Sequence, residues 1–286
     1  MTTATAPLSG PRLFALVALT MTAFAANSLL NRAALAEAGI GPAAFAAIRL
    51  AAGALALVLL ARRRGPLGLT TPGRWIGVLS LTAYMLGFSF AYLSLDAGLG
   101  ALILFGGVQI TMFAGALLAR EVVPLARWLG AGMALAGLAL LLWPGAVGRP
   151  DPLGLGLMMI AAVGWGIYSL HGRGSRAPLS DTAANFLLAL PLGLLAWLIW
   201  ASDDALSVPG ILLAVVSGAL TSGLGYALWY AVLPSLGATR AAVAQLTVPV
   251  IAALGGLILL GEAVTWLTGL ATLLVLGGVA ISLRKG

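Results

Sequence analysis

Residues 99–121, LGALILFGGVQITMFAGALLARE, and residues 236–262, LGATRAAVAQLTVPVIAALGGLILLGE, decide the fold. Both begin Leu-Gly-Ala and end on an acid, Glu121 or Glu262. Between these markers each is apolar for roughly the 20 helical residues needed to cross a hydrocarbon core about 30 Å thick. Stepping back from Leu99 and Leu236 at one separation pairs Ser80 with Ser217 and Tyr92 with Trp229. Further out, Ser28-Leu29 followed by Arg32 matches Ser169-Leu170 followed by Arg173, with Phe24 facing Trp165. Ala119-Arg120-Glu121 lies opposite Leu260-Gly261-Glu262, and this shared order over about 130 residues reads as an internal duplication.

Composition says what kind of duplication it is. Of the 286 residues, 61% are hydrophobic and 8% charged, against roughly 25% charged in an ordinary soluble domain. A mean hydropathy of +1.09 then makes the chain an all-α polytopic membrane protein. Reading apolar windows between charges and Gly/Pro clusters gives ten spans: 12–31, 41–61, 75–95, 98–118, 124–143, 153–171, 182–200, 209–231, 236–260 and 263–283. The first imitates a secretory signal through Arg12 and Ala23-Phe24-Ala25, but Asn27, Ser28 and Asn31 suit a helix packed inside a bundle. The chain has no cysteine and a single histidine, His171, which excludes disulfides, thiolate zinc sites and a paired-histidine metal helix.

The net charge of +7 does not mark a nucleic-acid surface, because nearly all the basic residues sit at span ends. With a cytoplasmic N-terminus, Arg12, Arg62, Arg63, Arg64, Arg74, Arg120, Arg127, Arg173, Arg176, Arg240, Arg284 and Lys285 fall inside, and only Arg32 and Arg149 outside. Glu37, Asp96, Asp151, Asp203, Asp204 and Glu262 also fall outside. Both termini are therefore expected in the cytoplasm. Five spans per repeat is odd, so the second copy enters from the opposite side, giving inverted repeats over residues 1–147 and 148–286. Inverted repeats are a mark of secondary transporters that hold substrate near the midplane.

The chain resembles EamA-type members of the drug/metabolite transporter superfamily along all ten spans. The resemblance rests on Leu236-Gly237-Ala238, Pro249, Gly255-Gly256, Gly261-Glu262, the Gly-rich last span from Gly269 to Gly277-Gly278, and Leu99-Gly100-Ala101 with Arg120-Glu121. Span four has no proline opposite Pro249 and is shorter between Gly and Glu, which is similar to the aromatic amino acid exporter branch (YddG-like). The resemblance implies two five-helix repeats around a central cavity lined by spans one, three, four, six, eight and nine, and it implies export.

Polar and aromatic side chains at membrane depth usually face such an interior. Those expected to meet substrate are Asn27, Ser80, Tyr84, Phe88, Gln109, Trp165, Tyr168, Thr221, Tyr226 and Gln245. Ser and Thr also commonly bond their own helix carbonyls, and Trp75, Trp128, Trp143, Trp197, Trp200 and Trp266 sit at span ends as an interfacial belt would. Arg49 is the one charge well inside a span; it either contacts a substrate anion or bonds helix carbonyls, and the second is favoured. Pro249 should kink span nine, and with Gly255 it is the expected gate.

Every Asp and Glu lies at a span end, so no proton- or sodium-coupling acid is expected at the midplane. The expected protein is an inner-membrane transporter, not an enzyme, exporting small amphipathic metabolites, most readily aromatic or other neutral amino acids, by alternating access and facilitated diffusion. Its partners are a small-molecule substrate and membrane lipid, without nucleic acid, cofactor or metal; a monomer is compatible with the short loops. A membrane-embedded lipid-modifying enzyme and a multidrug or other metabolite efflux pump are the alternatives, the first lacking a paired carboxylate, thiol or metal set.

Overall fold

In lipid a backbone must satisfy its own polar groups, and apolar runs without interior charge do so as helix. The computed structural model describes residues 10–62, 65–120, 123–141, 150–172, 175–200, 205–245 and 247–282. They form α1 (Gly10–Ala36), α2 (Pro42–Ala61), α3 (Arg74–Ala91), α4 (Ala97–Leu118), α5 (Leu125–Leu141), α6 (Pro152–Gly172), α7 (Pro178–Trp200) and α8 (Val208–Val216). A π-helical segment (Ser217–Leu224), α9 (Gly225–Gln245), α10 (Thr247–Leu259) and α11 (Trp266–Ser282) follow. Since α8, the π segment and α9 are continuous, the described residues make ten helical rods. Among these residues β-structure is limited to the isolated bridge between Ile40 and Leu206.

The protein is therefore an all-helical, multi-pass membrane protein, and among the described residues six helices are long and apolar enough to cross: α1, α2, α4, α6, α7 and residues Val208–Leu233. Helix starts follow local chemistry. Pro42 opens α2, Ser207 Oγ accepts the Gly210 N–H at 3.0 Å ahead of α8, and Asp151 Oδ2 accepts the Gly154 N–H at 2.7 Å at the start of α6.

One boundary differs from the sequence reading. The connection expected after residue 231 is helical: α9 runs on to Gln245 and α10 begins at Thr247, Leu246 lying outside the described residues. Ala-rich residues 238–245 favour helix. Pro249 has no N–H to donate to the Gln245 carbonyl four residues back. Pro249 itself sits in the first turn of α10, where proline is tolerated.

The helices pack across the two halves of the chain. Principal pairings are α5 with α11, α2 with α7, α4 with α10, and α3 with α6, while α1 packs on α8, the π segment and α9. Exchanging each rod for the one five places on leaves this scheme unchanged. Glycine permits the close approaches: a Cβ on Gly87 of α3 would lie 2.7 Å from the Leu157 carbonyl, and one on Gly164 of α6 2.7 Å from that of Ser80. Trp75, Trp128, Trp200 and Trp266 are exposed at helix ends as a belt requires. Trp197 instead packs beside Phe45, and Trp143 lies outside the described residues.

Candidate substrate site

A shell of aromatic rings occupies the centre of the bundle. Tyr84 and Phe88 stand one turn apart on α3 with centroids 5.3 Å apart. Tyr84 meets Trp165 of α6 at 5.0 Å, and Trp165 meets Tyr168 at 5.5 Å and Tyr226 of α9 at 5.2 Å. Phe24 of α1 and Phe186 of α7 each approach Tyr226 edge-on at 5.8 Å. Each such pair contributes about 0.5–1.5 kcal/mol beyond its buried area. Five helices thus converge on one apolar cluster.

A polar layer adjoins the rings. Asn27 Oδ1 accepts Ser217 Oγ at 2.9 Å and Ser222 Oγ at 3.3 Å, and Thr221 Oγ1 lies 2.5 Å from it. In an α-helix Ser222 would stand about 140° round from Ser217 and miss Asn27. The π turn closes i to i+5 and brings all three hydroxyls to one side. Gly218 lets this segment touch α2: a Cβ there would lie 2.3 Å from the Arg49 carbonyl oxygen.

Arg49 projects from α2 into this layer and is fully buried. Its Nε donates to Ser222 Oγ at 3.1 Å, and its Nη2 donates to Tyr84 Oη at 3.1 Å. The guanidinium carbon lies 5.5 Å from the Tyr84 ring centroid and 5.1 Å from that of Phe88. No carboxylate among the described residues pairs with it. Its Nη1 has no partner, nor do the Tyr226 hydroxyl, the Ser89 hydroxyl and both amide atoms of Asn31. The structure therefore gives Arg49 side-chain and ring partners at the centre, where helix carbonyls had been favoured.

Polar networks bound the cluster at both ends. At one, Arg32 Nε lies 3.3 Å from Glu262 Oε1, Arg32 Nη1 donates to the Tyr92 carbonyl at 3.0 Å, and Arg32 Nη2 lies 3.6 Å from Asp96. The Glu262 carboxylate accepts the Ala97 N–H at 3.0 and 2.9 Å, so a residue between α10 and α11 caps α4. Burial raises the Glu262 pKa above the ordinary carboxylate value, while the Ala97 N–H and Arg32 oppose the rise. At the other end, Arg74 Nη2 donates to Asp181 Oδ1 at 2.6 Å and Arg74 Nη1 to Asn185 Oδ1 at 3.2 Å. Asn185 Nδ2 reaches Tyr168 Oη at 3.4 Å, Tyr168 donates to Thr182 Oγ1 at 3.3 Å, and Thr182 donates to Tyr230 Oη at 3.2 Å.

Of the expected contact residues, Asn27, Tyr84, Phe88, Trp165, Tyr168, Thr221 and Tyr226 come together. Ser80 does not: its hydroxyl donates to the Ile76 carbonyl at 2.6 Å, and it lines a peripheral apolar cleft between α3 and α6. Residues four apart on a helix drift by about 40°, so Ser80 stands about 80° from Phe88. Gln109 on α4 and Gln245 at the end of α9 are half-buried and make none of the cluster's contacts. Gly255 packs α10 on α1, a Cβ there falling 2.5 Å from Leu29 Cδ1. Arg63, Arg64, Glu121, Arg149, Arg173, Asp203, Asp204, Arg284 and Lys285 lie outside the described residues, as do the side chains of Leu236, Gly237, Ala238 and Arg240. Sequence reasoning missed the Arg32–Glu262 and Arg74–Asp181 ties. The only available signal was the matched placement of Arg32 and Arg173, and of Glu121 and Glu262, in the repeat.

Comparison with known proteins relates the second half of the chain to transporters. The EamA-like transporter family model matches residues 152–284. An uncharacterised protein of Pseudomonas aeruginosa is 48% identical over 275 residues, covering 95% of this chain and 94% of its own. An uncharacterised transporter of Archaeoglobus fulgidus is 25% identical over 217 residues, 73% of this chain and 76% of its own. One crystal structure shares the fold at a TM-score of 0.68 and 20% identity, covering 94% of this chain and 97% of that one. The fold is that of a multi-pass helical membrane protein. The second half of the chain, residues 152–284, is thus similar to the EamA-like transporter family.

Proposed function

We propose that the protein exports small amphipathic metabolites, foremost aromatic or other neutral amino acids, across a bacterial inner membrane by alternating access. The observation that carries this reading is the central shell: rings of Tyr84, Trp165 and Tyr226 to take an apolar body, beside Asn27 and Arg49 to take a polar head. The same chemistry favours the aromatic amino acid exporter branch over general drug efflux, since a site with a buried cation selects for a polar head group.

Residues 1–147 and 148–286 form inverted repeats in this reading, supported by the exchange of packing partners between halves. The Arg32–Glu262 end faces outward, the Arg74–Asp181 end and both termini face the cytoplasm, and Pro249 with Gly255 serves as the gate. Described carboxylates occur only at the helix ends, among them Asp96, Asp181 and Glu262, which supports facilitated diffusion over proton or sodium coupling. Counterflow in proteoliposomes over a panel of radiolabelled amino acids tests the reading. Saturable exchange of aromatic amino acids without an ion gradient is expected. Flux that requires an imposed pH gradient at zero membrane potential would overturn the uncoupled mechanism.

A further inference from the structure

A fully buried guanidinium with no acid beside it is costly to maintain unless something else supplies negative charge. Ser222, Tyr84 and two ring faces solvate Arg49 in part, but they are neutral and leave Nη1 without an acceptor. A second unpartnered group belongs to the same shell. The Tyr226 hydroxyl is buried, and the Tyr226 ring is joined to Tyr84 through Trp165 and to α1 through Phe24. Both groups can donate hydrogen bonds, and rings surround them. We infer that Arg49 and Tyr226 together read the carboxylate of the substrate, and that the preferred ligand is a monoanionic carboxylate with an aromatic or apolar tail, its amino group dispensable.

The inference rests on the transport reading and narrows its substrate class. Charge balance decides between an amino acid and its deaminated counterpart. A bound monoanion neutralises the buried cation, whereas a zwitterion leaves the net charge at +1 and brings an ammonium with no carboxylate among the described residues of the shell to receive it. A carboxylate on Arg49 would gain charge-assisted hydrogen bonds that a neutral amide of the same shape cannot match.

The test compares 3-phenylpropionate with 3-phenylpropionamide, its neutral isostere, and with phenylalanine. Binding is read by ligand-induced thermal stabilisation of the purified full chain, and transport by counterflow of radiolabelled phenylalanine. Wild type should bind the carboxylate at least about tenfold more tightly than the amide, and no more weakly than phenylalanine. Arg49→Gln should bring the carboxylate-to-amide ratio close to one. Arg49→Lys and Tyr226→Phe should give intermediate ratios, and they decide the matter if the glutamine variant does not fold. A folded Arg49→Gln protein that keeps the wild-type ratio overturns the inference, as does a wild type that binds phenylalanine but not 3-phenylpropionate. Phenylalanine counterflow with a ratio of one sinks the inference and leaves the transport reading standing. Absence of counterflow with a high ratio does the reverse.

Discussion

Single side chains set the chemistry of the centre. Asn27 gathers hydroxyls from three positions of the π segment, and interhelical hydrogen bonds within membranes are each worth about 0.6 kcal/mol on average. Asn27→Ala should therefore lower stability by about 1–2 kcal/mol, measured by unfolding in mixed detergent micelles. An unchanged midpoint would mean that the hydroxyls are satisfied by their own helix, as Thr221 already can be through the Ser217 carbonyl at 2.9 Å. Most of this chemistry was legible in the sequence, because Asn27, Tyr84, Trp165 and Tyr226 are the kinds of side chain that lipid does not tolerate alone. Ser80 lies apart from the cluster with its hydroxyl bonded to its own helix, and a hydroxyl that can do so carries little information about where it points. The partners of Arg49 were not legible at all, since Ser222 is 173 residues away and only the fold brings it near.

At the scale of elements, the π segment and the Glu262 cap do the positioning. Neither follows from periodicity: a π turn is a tertiary adjustment, signalled only by the crowding of Ser217, Gly218, Thr221, Ser222 and Gly223. Gly218→Ala would drive a Cβ to 2.3 Å from the Arg49 carbonyl. It should cost about 1–3 kcal/mol and abolish transport, whereas Gly132→Ala, with nothing near its Cβ, should do neither. Equal effects in thermal unfolding and flux would refute the close packing of α2 on the π segment. Glu262, outside the membrane-spanning segments, gives a pH dependence. Its pKa is raised in the folded protein, so it holds its proton more tightly there. The associated stability is complete below the unfolded value of roughly 4.3 and is lost as pH rises through the folded value. Across that window the melting temperature of wild type should fall relative to Glu262→Gln, which does not titrate. Parallel profiles would show that burial of Glu262 contributes no linkage.

For the whole molecule, the packing scheme keeps its pattern when the two halves are exchanged, whereas the continuation of α9 to Gln245 was not legible in the sequence. Helix propensity in an Ala-rich stretch prevailed over the turn signal of Pro234 and Gly237. The orientation we propose rests on the distribution of Arg and Lys, and the cysteine-free chain makes it testable. A single cysteine at Glu37 should react with membrane-impermeant maleimide from the periplasmic side and one at Arg62 only from the cytoplasmic side; the opposite pattern would invert the account. The central claim is that the aromatic shell carries substrate across. Counterflow of radiolabelled phenylalanine into proteoliposomes, with equal pH and no sodium gradient, tests it most directly by comparing wild type with Trp165→Ala. The account predicts saturable exchange by wild type and at least about a tenfold loss in the variant, because it lacks the ring that contacts Tyr84, Tyr168 and Tyr226 in wild type. Equal flux from a folded variant, or no exchange by wild type, would contradict it.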